Sequence, residues 1–345
     1  MDRFLPQGGA LNELINSKAT ELFNKLKSLP VADLQIPEQC RHYLASSHLS
    51  RLFFSIQTSA HLLQRAITKK ALPVEEIVLM DYGAGVGTLY LLAKAIGCNK
   101  VVYNDHLEDW KISAKVIAEA IGIHIDEYIV GDIDHTMQEC SAKSIQVDII
   151  TSRNVVEHIY NLEDFFSTVY RYAPNALIFN STTANFKNPA SRVKHILWHK
   201  KWEKHYRQDR LKIITAKGIN GNAAELLATA TRGLALNDLD EAIELYRTSK
   251  RMPDPSRHRS NTCDPSNGVW AEHMISFEEY KAATEDYYIS FEPGFWDTHY
   301  SSSVKNMLGT SMNKIGSISK GLGFTTASFI YVIAEPKKYA GKEYS

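Results

Sequence analysis

Hydrophobic residues follow two different spacings along this chain. Between residues 10 and 70 they recur every three or four positions, as in Leu11, Leu14 and Ile15, which predicts amphipathic helices. From Ile77 onward, short apolar runs alternate with segments of helical length. Such an alternation predicts βαβ units with right-handed crossovers and a mostly parallel sheet. The pattern therefore predicts an α/β fold that follows an N-terminal helical region.

Individual elements can be placed from the same pattern. The predicted strands are Ile77–Met80, Val101–Tyr103, Tyr128–Val130, Val147–Thr151 and Ala176–Phe179. The predicted helices between them cover 87–97, 108–121, 135–143 and 161–172. Near the end of the chain, strands are predicted at 287–296 and 328–335, with a helical stretch at 303–320.

Composition narrows the class of protein. Lys plus Arg and Asp plus Glu number 39 each in 345 residues, so no overall field attracts the chain to nucleic acid or to an anionic membrane. No apolar run reaches the roughly 18 residues of a membrane span, and the N-terminus lacks the pattern of a secretory signal. The four cysteines lie far apart, which favours free thiols over disulfides or a zinc site. We expect a cytoplasmic protein.

A glycine-rich turn follows the first predicted strand. It reads Asp81-Tyr-Gly-Ala-Gly-Val-Gly87 and precedes a predicted helix. Glycines let a ligand approach the backbone, and the amides at the start of the helix point to the same place. The dinucleotide fingerprint is G-x-G-x-x-G, but here Thr88 stands where its third glycine belongs. The turn predicts a nucleotide-type cofactor that is not a dinucleotide.

Polar residues also follow the next three predicted strands. Asp105, beside His106, ends the second strand; Asp132 and Ile133 follow the third. A carboxylate at the tip of the second strand can accept both ribose hydroxyls of an adenosine. Each aspartate could instead cap the following helix. After the fourth strand the chain reads Ser152-Arg-Asn-Val-Val-Glu-His158, in which the histidine is either a general base or a packed surface residue.

These four segments resemble the class I, Rossmann-like S-adenosylmethionine-dependent methyltransferases over about residues 50–182. The spacing D-x-G-x-G-x-G resembles the first motif of that family, and Val156-Glu-His-Ile159 resembles its fourth. The resemblance implies S-adenosyl-L-methionine as cofactor and a seven-stranded, mostly parallel sheet with an antiparallel last strand. It further implies that the cofactor-binding residues are Asp81, Gly83, Ala84, Gly85, Gly87, Asp105, His106, Asp132, Ile133 and Asn154. His158 is then the candidate catalytic base.

The resemblance also divides the chain into four regions. They are an N-terminal helical cap (1–70), a cofactor-binding core (71–182), a helical and loop insertion that forms a lid on the acceptor site (183–300), and a C-terminal helix and strand that complete the sheet (301–345). The segment 192–212 of the insertion carries eight Lys or Arg and two acids. This composition fits either a lid that binds an anionic acceptor or a solvated basic helix.

The acceptor cannot be identified from the sequence. We expect a small and anionic molecule rather than nucleic acid, bound by residues chosen from Arg153, His199, Trp202, Trp270, Glu272 and His273; no ligand spacing supports a metal. Two other functions stay open. The chain could be a short-chain-type NAD(P)-dependent reductase, since Tyr246 and Lys250 form a Y-x-x-x-K motif, or a non-catalytic cofactor-binding module. The oligomeric state is left open.

Overall fold

Seven strands form a single mixed sheet. In a computed structural model that describes residues 3–234, 236–253, 262–265, 271 and 273–337, the strand order is β3-β2-β1-β4-β5-β7-β6. The strands are β1 Val78–Asp81, β2 Lys100–Asp105, β3 Glu127–Val130, β4 Ile149–Arg153, β5 Leu177–Thr182, β6 Tyr287–Pro293 and β7 Ile330–Pro336. The first five run parallel, and β7 is antiparallel to both of its neighbours. The predicted Rossmann-like sheet with an antiparallel last strand is confirmed.

Helices cover both faces of the sheet. They are α1 Gly9–Lys27, α2 Glu38–Tyr43, α3 Leu52–Lys70, α4 Leu89–Ala95, α5 Glu108–Ala120, α6 Ile133–Ala142, α7 Leu162–Tyr172, α8 Pro189–Ala216, α9 Gly221–Ala230, α10 Leu236–Ser249, α11 Phe277–Ala282, α12 Ser303–Ile318 and α13 Lys320–Thr326. Side chains alternate between the two faces of a strand. Leu79 of β1 accordingly packs in one core with residues of α1, α3, α4 and α5, and Met80 in the other core with residues of α6 and α7.

The N-terminal helices are part of the main core. Ile56 of α3 is fully buried, and the rings of Phe4 and Phe53 stack at a centroid distance of 4.5 Å. A π-helical turn at Leu44–His48 joins α2 to the segment before α3. This turn carries the chain over the edge of the sheet where the parallel strands end. The predicted cap region is therefore helical and also reaches that edge.

The insertion after β5 builds a small core of its own. Asn188 caps α8 by accepting hydrogen bonds from the backbone N–H groups of Ala190 and Ser191. Ile214, Leu227 and other apolar residues of α8, α9 and α10 pack together. The predicted 183–300 insertion also contains β6, because residues 287–293 pair with β7 along their whole length. The sheet is therefore completed by two strands, one of which lies inside that predicted region.

The described residues contain no helix that is both long and apolar enough to cross a bilayer.

Candidate functional site

A crevice lies where β1, β2 and β4 end. The chain order reverses here, since β1 has β2 on one side and β4 on the other. Ligands of open α/β sheets bind at such a point. The crevice has a volume of about 140 Å³. Its lining residues are Tyr43, His48, Asp81, Gly83, Ala84, Gly85, Gly87, Thr88, Leu89, Arg153 and Asn154.

The glycine turn needs its glycines for steric reasons. Gly83 has a φ of +65°, and a Cβ there would lie 2.6 Å from Cγ2 of Val155. A Cβ on Gly87 would lie 2.8 Å from a carbonyl oxygen of the same turn. Gly85, at φ +52°, faces open space and donates its N–H to Oδ2 of Asp105 at 2.9 Å. The turn thus presents bare backbone to the crevice.

Asp81 is a buried carboxylate in this crevice. Its Oδ2 accepts a hydrogen bond of 3.0 Å from the backbone N–H of Tyr90 in the first turn of α4. Burial raises the pKa of Asp81 to about 7, although the nearby Arg153 guanidinium and the Tyr90 N–H both act to lower it. Ionised Asp81 is therefore poorly solvated, and a bound ammonium group would stabilise it.

Asp105 holds the glycine turn against β2. Its Oδ1 accepts from the N–H of Leu107 at 3.1 Å, while Oδ2 accepts from Gly85. Burial raises the pKa of Asp105, and these backbone donors oppose the rise. Each carboxylate oxygen has a second lone-pair site, so two hydroxyl donors can still bind. His106, the next residue, is exposed.

Asp132 caps α6. Its Oδ1 accepts from the N–H of His135 at 2.9 Å, and the side chain is exposed. Ile133 beside it is buried in the core on the α6 and α7 face. The capping alternative is thus realised at Asp132, and its contact with adenine stays a prediction.

Arg153 points toward the N-terminal helices. Its Nη1 donates to the carbonyl oxygen of Ser55 and to Oγ of Ser59, both at 2.9 Å. This direction follows from strand alternation, because Ile149 two pairs earlier on β4 packs in the α3 core. Arg153 lines the crevice beside Asp81. Among the predicted acceptor residues that the structure describes, it is the one that lines the crevice.

Tyr43 and His48 are crevice residues that the sequence analysis missed. They come from α2 and the π-helical turn, and their side chains lie next to each other with ring centroids 5.2 Å apart. Burial, reinforced by Arg153, lowers the pKa of His48 to about 4, so this imidazole is neutral at pH 7. Nothing in the helical spacing of this region indicated that it would cover the sheet edge.

Asn154 and His158 follow β4. Asn154 adopts a φ of +56°, and its Oδ1 accepts from the N–H of Thr183 at 3.0 Å, which ties the loop after β4 to the one after β5. His158 ends a short 3₁₀ turn and is half-buried. Asn154 lines the crevice, while His158 is not among the residues given above as its lining.

The other predicted acceptor residues are dispersed. His199 is buried in α8 against the His195 ring, and Trp202 stacks on Tyr206 at 5.6 Å. The backbone N–H of His273 donates to the carbonyl oxygen of Glu157 at 2.8 Å, which brings it near the turn of His158. These three are not among the lining residues given above for the crevice. Trp270 and Glu272 lie outside the described residues.

The crevice fits one part of an adenosyl amino acid. A buried carboxylate, an arginine and bare glycine backbone suit a zwitterionic amino-acid group. The enclosed volume is below the roughly 300–1,000 Å³ of typical ligand pockets. A ligand of nucleoside size or larger would therefore extend out of the crevice.

Comparison with known proteins agrees with this class of site. The chain matches the family model described as "Methyltransferase domain" over residues 41–221, which is more than half of its length. It therefore belongs to that family of methyltransferase domains, and its sheet is the one that the resemblance to class I methyltransferases implies. No curated protein matches the chain.

Solved structures with a similar fold share little sequence with this chain. A ribosomal protein L11 methylase from Lactobacillus delbrueckii subsp. bulgaricus is 17% identical, with 37% of this chain and 60% of that chain covered and a TM-score of 0.29. An S-adenosylmethionine-dependent methyltransferase from Clostridium acetobutylicum is 12% identical, with 43% and 59% covered and a TM-score of 0.34. The PH0226 protein from Pyrococcus horikoshii OT3 is 14% identical, with 86% and 99% covered and a TM-score of 0.42. The chain spans less than two thirds of the first two.

Proposed function

We propose that this protein transfers the methyl group of S-adenosylmethionine to a small acceptor that carries an anionic group. The observation that carries the proposal is the crevice at the sheet's reversal point, where the Asp81 carboxylate and the glycine backbone meet. A nicotinamide dinucleotide fits less well, since Thr88 occupies the position of the third glycine of its fingerprint and is buried.

Each predicted cofactor residue has a role in this proposal. Asp81 and the turn residues Gly83 to Gly87 would hold the amino-acid end, with Asn154 at the same end of the crevice. Asp105, with His106 beside it, would accept the ribose hydroxyls. Asp132 would accept from the adenine amino group while Ile133 lies against the ring. The burial of Asp81 and Asp105 supports the first two roles, because a buried carboxylate gains most from a new donor.

The chemistry asked of the protein is modest. The bound sulfonium supplies a methyl group that is already activated toward nucleophiles. The chain's own contribution is to align the acceptor and to exclude water. His158 is the proposed base when the acceptor's hydroxyl or amine must lose a proton. Its half-buried position in the 3₁₀ turn that follows β4 supports this role.

The anionic acceptor is proposed from two features. Arg153 places a positive charge in the crevice next to Asp81, within reach of a carboxylate or phosphate. The basic helix α8 leaves the sheet at the same edge, because it follows the end of β5. Trp202 and His199 on this helix, and His273, are proposed to border the acceptor. The four buried free cysteines support a reducing, cytoplasmic setting.

Equilibrium dialysis with labelled S-adenosylmethionine tests the cofactor. We expect binding by the wild type and at least about a tenfold loss in Asp105→Ala, because that change removes a carboxylate that accepts two hydrogen bonds. Asp209→Ala, which removes an exposed carboxylate from α8, is the matched control and should bind as the wild type does. Binding of NADPH but not of S-adenosylhomocysteine would overturn the assignment.

The acceptor is best found without assuming its identity. The protein would be incubated with a metabolite extract and S-adenosylmethionine carrying a deuterated methyl group, followed by mass spectrometry. A small product heavier by the labelled methyl, absent with Asp105→Ala, is the expected result. Formation of S-adenosylhomocysteine with polymeric acceptors alone would contradict a small acceptor, and no turnover with any extract would favour a non-catalytic module.

A further inference from the structure

Helix α12 turns its polar side toward the protein and its apolar side toward water. The side that packs on the protein is polar or small: Asn306 bonds the backbone of Tyr300, and Asn313 bonds both N–H and C=O of Trp296. Gly309 lies so close to the carbonyl oxygen of Asp297 that a Cβ would be 2.4 Å from it. These contacts fix which side of α12 faces inward.

The outward side is apolar. At 3.6 residues per turn its large side chains fall within about 100° of arc, and we call them the α12 stripe. The stripe consists of Val304, Met307, Leu308, Ile315 and Ile318, which are 60%, 62%, 53%, 37% and 73% exposed. Leu322 at the start of α13 continues it at 41% exposure. Monomeric proteins rarely leave so long a row of aliphatic side chains in water.

The charges within the segment that carries the stripe have one sign. Residues 298–334 contain three lysines, Lys305, Lys314 and Lys320, and no aspartate or glutamate. Although the charges of the whole chain balance, this segment therefore has a local excess of cations. An apolar helix face flanked by lysines is the composition of helices that lie in a membrane interface.

A second patch of the same composition lies on α8. Val193, Ile196 and Leu197 are more than half exposed. The first fourteen residues of that helix, 189–202, carry four Lys or Arg and no acid. Side-chain amides at the start of α8 bond the backbone at the end of α13, so the two elements meet.

Both patches lie on helices that begin at the same edge of the sheet as the crevice. Helix α8 follows the end of β5, and the α12–α13 pair connects the end of β6 to the start of antiparallel β7. In register, Pro293 of β6 and Thr182 of β5 both stand opposite Ile330 of β7, which marks that edge.

We propose that the α12 stripe, aided by the α8 patch, docks this protein on an anionic lipid surface. Aliphatic side chains would enter the acyl boundary and the lysines would meet phosphate headgroups. A second copy of the chain is a poorer occupant, because a symmetric contact sets the same patch against itself. Such a contact would bring the lysines of both copies together without acids in 298–334 to pair with them. The inference goes beyond methyl transfer and needs no bound cofactor.

Co-sedimentation with vesicles tests the docking. We expect the protein to pellet with phosphatidylcholine vesicles that contain 30% phosphatidylglycerol, to pellet less with phosphatidylcholine alone, and to be released by salt. The variant Met307→Ser/Ile318→Ser should lose most of this binding. Reversing Lys305, Lys314 and Lys320 to Glu should weaken it at least roughly a hundredfold, since the loss of each positive charge accounts for about fivefold.

Matched controls separate docking from misfolding. Leu226 and Leu245 are exposed aliphatic residues on α9 and α10, so Leu226→Ser/Leu245→Ser should sediment as the wild type does. All variants should keep the wild-type melting temperature and S-adenosylhomocysteine affinity, which keeps this test apart from that of the methyl transfer. A protein that sediments with neither type of vesicle would overturn the proposal. So would a dimer in light scattering that Met307→Ser/Ile318→Ser dissociates.

Discussion

Replacing Asp81 with asparagine should stabilise the fold and weaken cofactor binding at the same time. Burial raises the pKa of Asp81 from 3.8 to about 7. Between pH 3.8 and pH 7, the Asp81 carboxyl therefore keeps its proton in the folded protein and loses it in the unfolded chain. The favourable contribution is complete below pH 3.8 and is lost as the pH rises through 7. The difference between the two pKa values corresponds to about 4 kcal/mol as an upper limit.

The Asp81→Asn protein avoids this loss, because an amide does not ionise. Its side-chain oxygen can still accept the Tyr90 N–H. We expect it to melt about 5 °C or more above the wild type at pH 8, with the gap closing toward pH 4. Thermal unfolding followed by circular dichroism across this range measures the effect. The wild type's lower stability would then be the cost of keeping a charge for the ligand.

Cofactor affinity should change in the opposite direction. An ammonium group needs ionised Asp81, so wild-type affinity for S-adenosylhomocysteine should rise about tenfold per pH unit up to pH 7 and then level off. Asp81→Asn should bind about 10- to 100-fold more weakly at pH 8, the value of a lost charge-assisted hydrogen bond, and show no inflection near 7. Calorimetric titration measures both. Equal melting temperatures at pH 8, or an inflection that survives in Asp81→Asn, would refute the reasoning.

Three more variants probe the turn, the insertion and a half-buried histidine. Gly83→Ala should lower cofactor affinity at least about tenfold, because its Cβ meets Val155; calorimetry should show part of this loss recovered in Gly83→Ala/Val155→Ala. Glu203→Leu leaves the fully buried Arg210 without its ion-pair partner and should cost about 3 kcal/mol, measured by denaturant unfolding. Burial lowers the pKa of His61 from 6.5 to about 4. The stability that this residue contributes is therefore present above pH 6.5 and is lost as the pH falls through 4. In melting curves, His61→Phe should remove up to about 3 kcal/mol of this acid sensitivity.

The first two of these variants each have a matched control in the same chain. Gly85→Ala also has a positive φ but no clash, so its loss should be smaller than that of Gly83→Ala. Lys212→Ala breaks an exposed pair on α8 and should change stability by less than about 1 kcal/mol. A Glu203→Leu protein no less stable than Lys212→Ala, or a His61→Phe melting curve parallel to the wild type across pH 4–7, would contradict the respective argument.

Much of the fold could be predicted because its signals are local. The strand that ends at Asp81, the glycine turn and the strand that ends at Asp105 are short-range patterns. The predicted strands at 77–80, 101–103 and 147–151 correspond to β1, β2 and β4 to within a few residues. The seven-stranded sheet itself followed from the family resemblance.

Only the tertiary structure decided which distant residues meet at the crevice. Tyr43 and His48 reach it because a π-helical turn carries the chain over the sheet edge. Arg153 faces α3, a direction set by the side-chain alternation of β4 and by the Ser55 and Ser59 oxygens that accept its hydrogen bonds. A local sequence pattern shows neither that a helix covers a distant sheet edge nor which residues bind an arginine side chain.

The sequence by itself determined the order of strands and helices, the acids at the ends of two strands and the bare turn between them, because hydrophobic period and glycine sterics act over a few residues. The structure decided what faces water. Helix α12 has a clear apolar side in sequence, which would ordinarily be placed inward. Asn306 and Asn313 hold the polar side inward instead, because they bond the backbone of Tyr300 and Trp296, and Gly309 allows the close approach to Asp297.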